Sequence, residues 1–344
     1  MKSCKLVRLG FVFCVTLAAS FCLAQTYKMT DLGTPQGDGF AVPRGVNASA
    51  QVTGSAGPGG DSGTSDVFLY SKGTFTDFGT LGGKTGIGNG INASSQVAGY
   101  STDAAGTYRA FISSGDSLVD IGDLGGGSAV AYAINDAGQV VGSAVMKDGS
   151  NHPFLYSNGK MIDLGTLGSP KGSSWWNSAE GINNSGVVVG YSYTNQSQAP
   201  FRGFIWSKGK MKEIGTLGGS LSQAYAVNNL GQVTGIAYLA DGSAHAFIRE
   251  VSGKMRDLGA LERYGATWGF GINDAGVVVG QAQLNANVHA FVYNGKRIQD
   301  LNKLVGKRSG WTLIVANGVN NAGQIVCTGE NSAGIQHAFL LTPQ

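Results

Sequence analysis

The chain repeats itself seven times, and that repeat constrains everything else it can fold into. The fixed member is an asparagine, at Asn47, Asn92, Asn135, Asn183, Asn228, Asn273 and Asn320, spaced by 43 to 48 residues. The best-formed copy reads GINDAGVVVG from Gly271 to Gly280. Self-similarity at such a period is the signature of an array of small supersecondary units that bury their apolar faces against one another.

Each period holds four short apolar segments separated by Gly, Asn, Asp and Ser. In the sixth copy they are ATWGFGIN, VVVGQA, HAFVYN and KRIQDLN. No helical periodicity is present, and the segment lengths suit strands. Glycine is abundant, at 56 of 344 residues, but 42% of the chain is hydrophobic, enough for a packed core. Four strands in each of seven units predict an all-β, seven-bladed β-propeller of four-stranded blades.

Local chemistry agrees. The residues four and two before each asparagine are always small, as in Gly88 and Gly90, Ala131 and Ala133, or Gly269 and Gly271. Spacing of two puts them on one strand face, where only a very close neighbouring backbone requires that everywhere. The asparagine then opens a tight turn, NDAG or NNLG, with glycine three residues on in five copies. An Asn side chain accepts from backbone N–H groups ahead of it, so turn capping explains the residue better than a ring of metal ligands does. Second segments such as QVVG are buried and β-branched, and in the last copy Cys327 stands where the glycine belongs, as a small buried substitute. Third segments carry Phe68, Phe111, Phe154, Phe204, Phe247, Phe291 and Phe339, expected as core between blades. Fourth segments end in Asp31, Asp77, Asp120, Asp163, Glu213, Asp257 and Asp300, expected as acceptors for loop N–H groups.

The two ends complete one another. YKMTDLG, from Tyr27 to Gly33, matches a fourth strand and has no preceding three, while the chain finishes at HAFLLTPQ, a third strand lacking its fourth. Pairing them closes the ring and removes its free edges. Ahead of Tyr27, Lys2, Lys5 and Arg8 precede an apolar run from Leu9 to Leu23, which reads as a secretory signal peptide over residues 1–24. The run is short for a membrane span, and no other stretch approaches 18 apolar residues, so no membrane insertion is expected. Cleavage after Ala24 leaves a single propeller domain, 25–344, secreted to the periplasm or the extracellular space. That domain has 21 basic and 21 acidic side chains, because the three basic residues of the leader are gone from a total of 24. A neutral balance offers nothing to attract nucleic acid.

The set HAF, DLGTLGG, GIN and GQVVG, recurring over residues 27–344, resembles the HAF family of extracellular repeat proteins. The resemblance implies export and a repeat fold; it carries no activity or site to transfer. Asp66, Arg109 and Arg202 depart from it by replacing the motif histidine, and the final copy, with DLNKLV and QIVC, departs most.

Chemistry is sparse. All four histidines, His152, His245, His289 and His337, occupy the HAF position on different blades, too far apart around a ring to share a zinc ion. GDSG at Gly60 to Gly63 has the letters of a serine-protease loop, but every histidine that would serve as base is pinned to a repeat position. No cofactor and no metal are expected. Loop carboxylates Glu180, Glu262 and Asp38 leave a glycan-active hydrolase or lyase as one alternative, and a purely structural envelope component as another.

The copies disagree most in the connections from fourth to first strand and from second to third strand, which share one face of a propeller. Trp175, Trp176, Trp268 and Trp311 lie in or beside those connections, with Arg263 and Tyr264 next to Trp268. Together with Glu180 these residues are the predicted ligand contacts; the competing reading is that the rings roof the blades or plug the channel mouth. A further variable row lies three residues before each asparagine: Arg44, Asn89, Tyr132, Glu180, Tyr225, Phe270 and Asn317. Facing away from the small pair, it is placed to line an axial pocket. The leading expectation is a monomeric, non-catalytic binding module for an extracellular glycan or protein.

Overall fold

The computed structural model describes residues 25–344 apart from 36–38, 59–62, 173–175, 196–200, 264 and 307–309. Asp38, most of the GDSG stretch, Trp175, Tyr264 and the leader 1–24 therefore lie outside the described residues. The chain is a seven-bladed β-propeller of antiparallel four-stranded sheets. Blades one to six are residues 40–79, 82–120, 125–163, 178–213, 218–257 and 267–300, each running inner to outer in chain order. Blade seven takes three strands from 311–343 and its outer strand from Tyr27–Gly33. Among the described residues, no helix is long and apolar enough to cross a membrane.

Ring closure works as the termini predict. Tyr27 pairs with Pro343, Met29 with Leu341 and Asp31 with Phe339. The Tyr27 ring is buried, its N–H donates to the Leu304 carbonyl (3.0 Å), and the Gln344 N–H donates to Thr26 (2.9 Å). The N-terminal strand is thus held to blade seven and to the segment leaving blade six.

Small residues sit where adjacent inner strands touch. A Cβ on Gly90 would lie 3.2 Å from Ala133 Cα, and one on Gly271 would lie 3.2 Å from Gly318 Cα, each on the next blade. The second-strand glycine answers to its own blade: a Cβ on Gly99 would overlap the Ile87 carbonyl, and one on Gly280 the Trp268 carbonyl. Blade seven fits Cys327 there because its inner strand has an extra register shift between Leu313 and Val315, beside the pair Ala316 and Cys327. All seven phenylalanines are at most 1% exposed. They do fill the space between blades: Phe154 clusters with Ala98, Ala110 and Ile121 of blade two, and Phe204 with Val141, Leu155 and Leu164 of blade three. Burying one such ring contributes about 2 to 3 kcal/mol.

The asparagines do more than cap turns. Oδ1 of Asn135 accepts from the N–H groups of Ala137 (3.1 Å) and Gln139 (3.0 Å), as the turn reading requires. Its Nδ2 also donates across the blade boundary to the Asn183 carbonyl (3.1 Å). The same inter-blade bond joins 47 to 92, 92 to 135, 183 to 228, 228 to 273, 273 to 320 and 320 back to 47, at 2.9 to 3.2 Å. Seven identical bonds form an unbroken belt around one end of the axis. The glycine three residues on takes a left-handed φ, 72° at Gly138 and 81° at Gly231. Ala50 and Ser95 adopt the same conformation, φ 59° and 64°, without glycine's freedom.

The fourth-strand acids accept loop N–H groups as predicted: Gly33 to Asp31, Gly79 to Asp77, Gly122 to Asp120 and Gly165 to Asp163, each at 2.8 Å. The same carboxylates also take the motif histidines. Nδ1 of His152 donates to Asp163 (2.9 Å), that of His245 to Asp257 (2.9 Å), and that of His337 to Asp31 (3.0 Å), the last across the ring closure. Arg202 replaces histidine with an ion pair to Glu213 (2.7 Å). Blade one has Asp66 facing Asp77 instead, and partial burial, reinforced by the neighbouring carboxylate, raises the Asp66 carboxyl above its ordinary range.

Candidate functional site: an axial cavity

Every inner strand carries a β-bulge at the same place. The register slips between Pro43 and Gly45, Gly88 and Gly90, Ala131 and Ala133, Ala179 and Gly181, Ala224 and Ala226, Gly269 and Gly271, and Ala316 and Gly318. The residue inside each slip is the variable one: Arg44, Asn89, Tyr132, Glu180, Tyr225, Phe270 or Asn317. A bulge leaves one residue without a ladder partner and re-aims its side chain. Here all seven line one cavity of about 520 Å³ on the propeller axis. That volume is in the range of small-ligand sites.

Second strands complete the wall with Tyr100, Gln281 and Thr328, and Gln336 enters from the start of a third strand. Tyr100, Gln281 and Thr328 each follow the second-strand glycine or its substitute Cys327. Sequence reasoning misses this row, although its variation from copy to copy is the signal that marks it. Gln336, at the start of a third strand, opens the cavity towards the face of the variable connections. The asparagine belt encircles the opposite end, around a second cavity of about 290 Å³.

The wall is aromatic on one side and amide-rich on the other. Asn89 and Asn317 are held by their Nδ2 atoms, which donate to the carbonyls of Ala131 and Pro43 (both 2.7 Å). Among the described residues, Glu180 is the one carboxylate in the wall and Arg44 the one guanidinium. They stand on blades four and one, three steps apart in one direction and four in the other, so across the axis. Neither forms an ion pair among the described residues.

Protein surrounds Glu180 while its side chain keeps part of its surface on the cavity. This burial pushes the carboxyl up to about 7, and the Ser178 hydroxyl on the same strand offsets only part of the effect. Tyr132, Tyr191 and Tyr225 are likewise raised, first by burial and then by the Glu180 charge, so they stay protonated. Three phenols from blades three, four and five thus feel the charge of one carboxylate. Arg44 acts in the opposite sense on Tyr100 and Tyr132, as a cation on the far wall does.

Of the predicted ligand contacts that lie among the described residues, Glu180 alone is in this wall. Trp176 is 56% exposed in the connection leading into blade four, on the same face. Trp268 is half-buried on the inner strand of blade six, and Arg263 is exposed in the connection before it. Trp311 packs on His337, ring centroids 4.3 Å apart, and edge-on against Phe339, so it roofs blade seven. Glu262 is not in the wall either: its carboxylate accepts the Asn285 N–H (2.9 Å).

Several solved structures are similar in fold. The propeller domain of the Trilobed protease from Pyrococcus furiosus, described as having an open velcro topology, is 11% identical with a TM-score of 0.58, over 89% of this chain and 97% of that one. A puromycin-hydrolyzing peptidase from Mycobacterium tuberculosis is 11% identical (TM-score 0.59), over 87% of this chain and 50% of that one. An acylaminoacyl peptidase from Pyrococcus horikoshii is 10% identical (TM-score 0.56), over 91% and 53%. This chain spans about half the length of the two peptidases. Comparison with protein-family models and with curated proteins found no match.

Proposed function

We propose that this chain is an exported HAF-type repeat protein and a non-catalytic recognition module, taking part of an extracellular glycan or protein into the axial cavity from the face of the variable connections. The observation that carries this reading is the convergence of seven bulged, freely varying side chains on one cavity, while the positions directly flanking each of them are restricted to small residues. The scaffold is uniform and the wall is not, which is the distribution expected of a fold that presents a specific surface. Trp176, Trp268 and Arg263 extend the contact around the mouth, with Trp311 at its edge. A binding role is favoured over hydrolysis because, among the described residues, the wall holds one carboxylate and not a pair.

The test is calorimetric and fluorescence titration of the purified chain 25–344 with a panel of soluble glycans and peptides. Binding should weaken about tenfold or more in Tyr132→Ala, as for a buried aromatic contact, with the melting temperature of the variant recorded alongside. A flat response to every ligand, by heat and by fluorescence, would sink the reading.

A further inference from the structure

We infer that the ligand unit taken into the cavity is an amino sugar with a free amine, its ammonium group seated between the Glu180 carboxylate and the rings of Tyr132 and Tyr225. The inference rests on the binding role above and specifies its chemistry. It starts from an imbalance. Glu180 projects from a bulge into an aromatic wall and receives no ion pair among the described residues. A carboxylate without a counter-charge among apolar rings is unfavourable, and a cation from outside is the most direct compensation. Aromatic faces around it add attraction specific to an ammonium group.

The rest of the wall selects what carries the amine. Asn89 and Asn317 offer amide oxygens while their Nδ2 atoms are engaged by backbone carbonyls. Gln281, Gln336 and Thr328 add donors and acceptors on the same side. A hydroxyl-rich ring uses such a set, whereas an alkylammonium side chain leaves most of it unpaired. Arg44, across the axis, donates to ring oxygens and repels a second cation, which fixes the direction in which a singly charged sugar enters. An N-acetyl group in place of the amine removes the charge and sets a neutral amide against Glu180.

The acid-side dependence also follows. The titratable and charged groups facing Glu180 are Tyr132 on blade three, Tyr191 on its own blade, Tyr225 on blade five and, across the axis, Arg44. The phenols are held protonated and Arg44 stays charged, so between pH 5 and 7 only Glu180 among them changes charge. Its carboxyl, pushed up to about 7, is half ionised at neutrality and protonated at pH 5.

The experiment compares methyl β-glucosaminide, which carries a single amine, with its N-acetylated form by calorimetry on chain 25–344. The amine form should bind about tenfold or more tightly at pH 7, and its affinity should fall about tenfold or more on going to pH 5, where the amine remains charged. Glu180→Gln should abolish both effects while the protein keeps its propeller circular dichroism. Equal affinity for the two glycosides overturns the inference and leaves a glycan-binding role standing. Binding of neither overturns it too, and if a lysine-containing peptide binds instead, the cavity serves a protein ligand. Preserved discrimination in Glu180→Gln removes Glu180 as its source.

Discussion

The asparagine belt makes a quantitative claim that separates its two roles. Asn135 is 3% exposed and its side chain makes four hydrogen bonds. Two are accepted within its own turn, from Ala137 and Gln139; two are donated, to Gln139 Oε1 (2.8 Å) and to the Asn183 carbonyl of the next blade (3.1 Å). At about 1 kcal/mol net for each bond, Asn135→Ala should lose about 4 kcal/mol. For a domain of this size that lowers the melting temperature by about 8 °C, at about 2 °C for each kcal/mol. Asn135→Asp is the discriminating variant. It keeps both accepted bonds and so preserves the turn, but it loses both donors and sets an oxygen against the Asn183 carbonyl. The loss should be at least as large as in the alanine variant, measured by scanning calorimetry and urea titration at pH 7. An aspartate variant of wild-type stability, beside a clearly weakened alanine variant, would show that the asparagine serves its turn alone and that the belt contributes nothing.

Two further outcomes follow from closure and from the site. Removing residues 25–33 strips the outer strand from blade seven, exposes the edge of its third strand and takes the Asp31 partner from His337; the melting temperature should fall by about 10 °C or more and the chain should self-associate through the bare edge, so a monomeric elution profile with unchanged melting would refute closure by this strand. Glu180 has a folded-state pKa above its unfolded value of about 4.3, so whatever stability it confers is present below about pH 4 and is lost as pH rises through 7; Glu180→Gln should therefore be more stable than wild type at pH 8 and gain little at pH 4, and equal melting at both pH values would show that the carboxyl is not raised.

Much of this is legible in the sequence where the cause is local or repeated. Gly88 and Gly90 announce a close neighbouring backbone whatever surrounds them, because little else in a strand demands small residues at a period of two. Asn135 announces a turn for the same reason. Its bond to Asn183 is not legible, because it depends on how far one blade is rotated from the next. The pairing of His152 with Asp163 is legible only by half: the acid is recognisable as an acceptor of Gly165, but its second partner is 11 residues away, brought near only by strand register. The variable row at Tyr132 and Glu180 is visible as an axial lining. Tyr100 and Gln281, one residue past the second-strand glycine, escape notice although their row varies just as freely.

What the sequence by itself determined is the scaffold: seven blades, four strands each, small residues at the axis, and two ends that complete one blade. Those properties are set by short-range geometry repeated until no other architecture accommodates it. What only the tertiary structure decided is the part of the axial wall drawn from second and third strands, Tyr100, Gln281, Thr328 and Gln336, and the separation of Glu180 and Arg44 on opposite sides of it. Side chains some 45 residues apart meet there because each strand bulges at one position and the ring then closes. Which of them face one another depends on blade rotation and bulge direction, and neither is written in any single repeat.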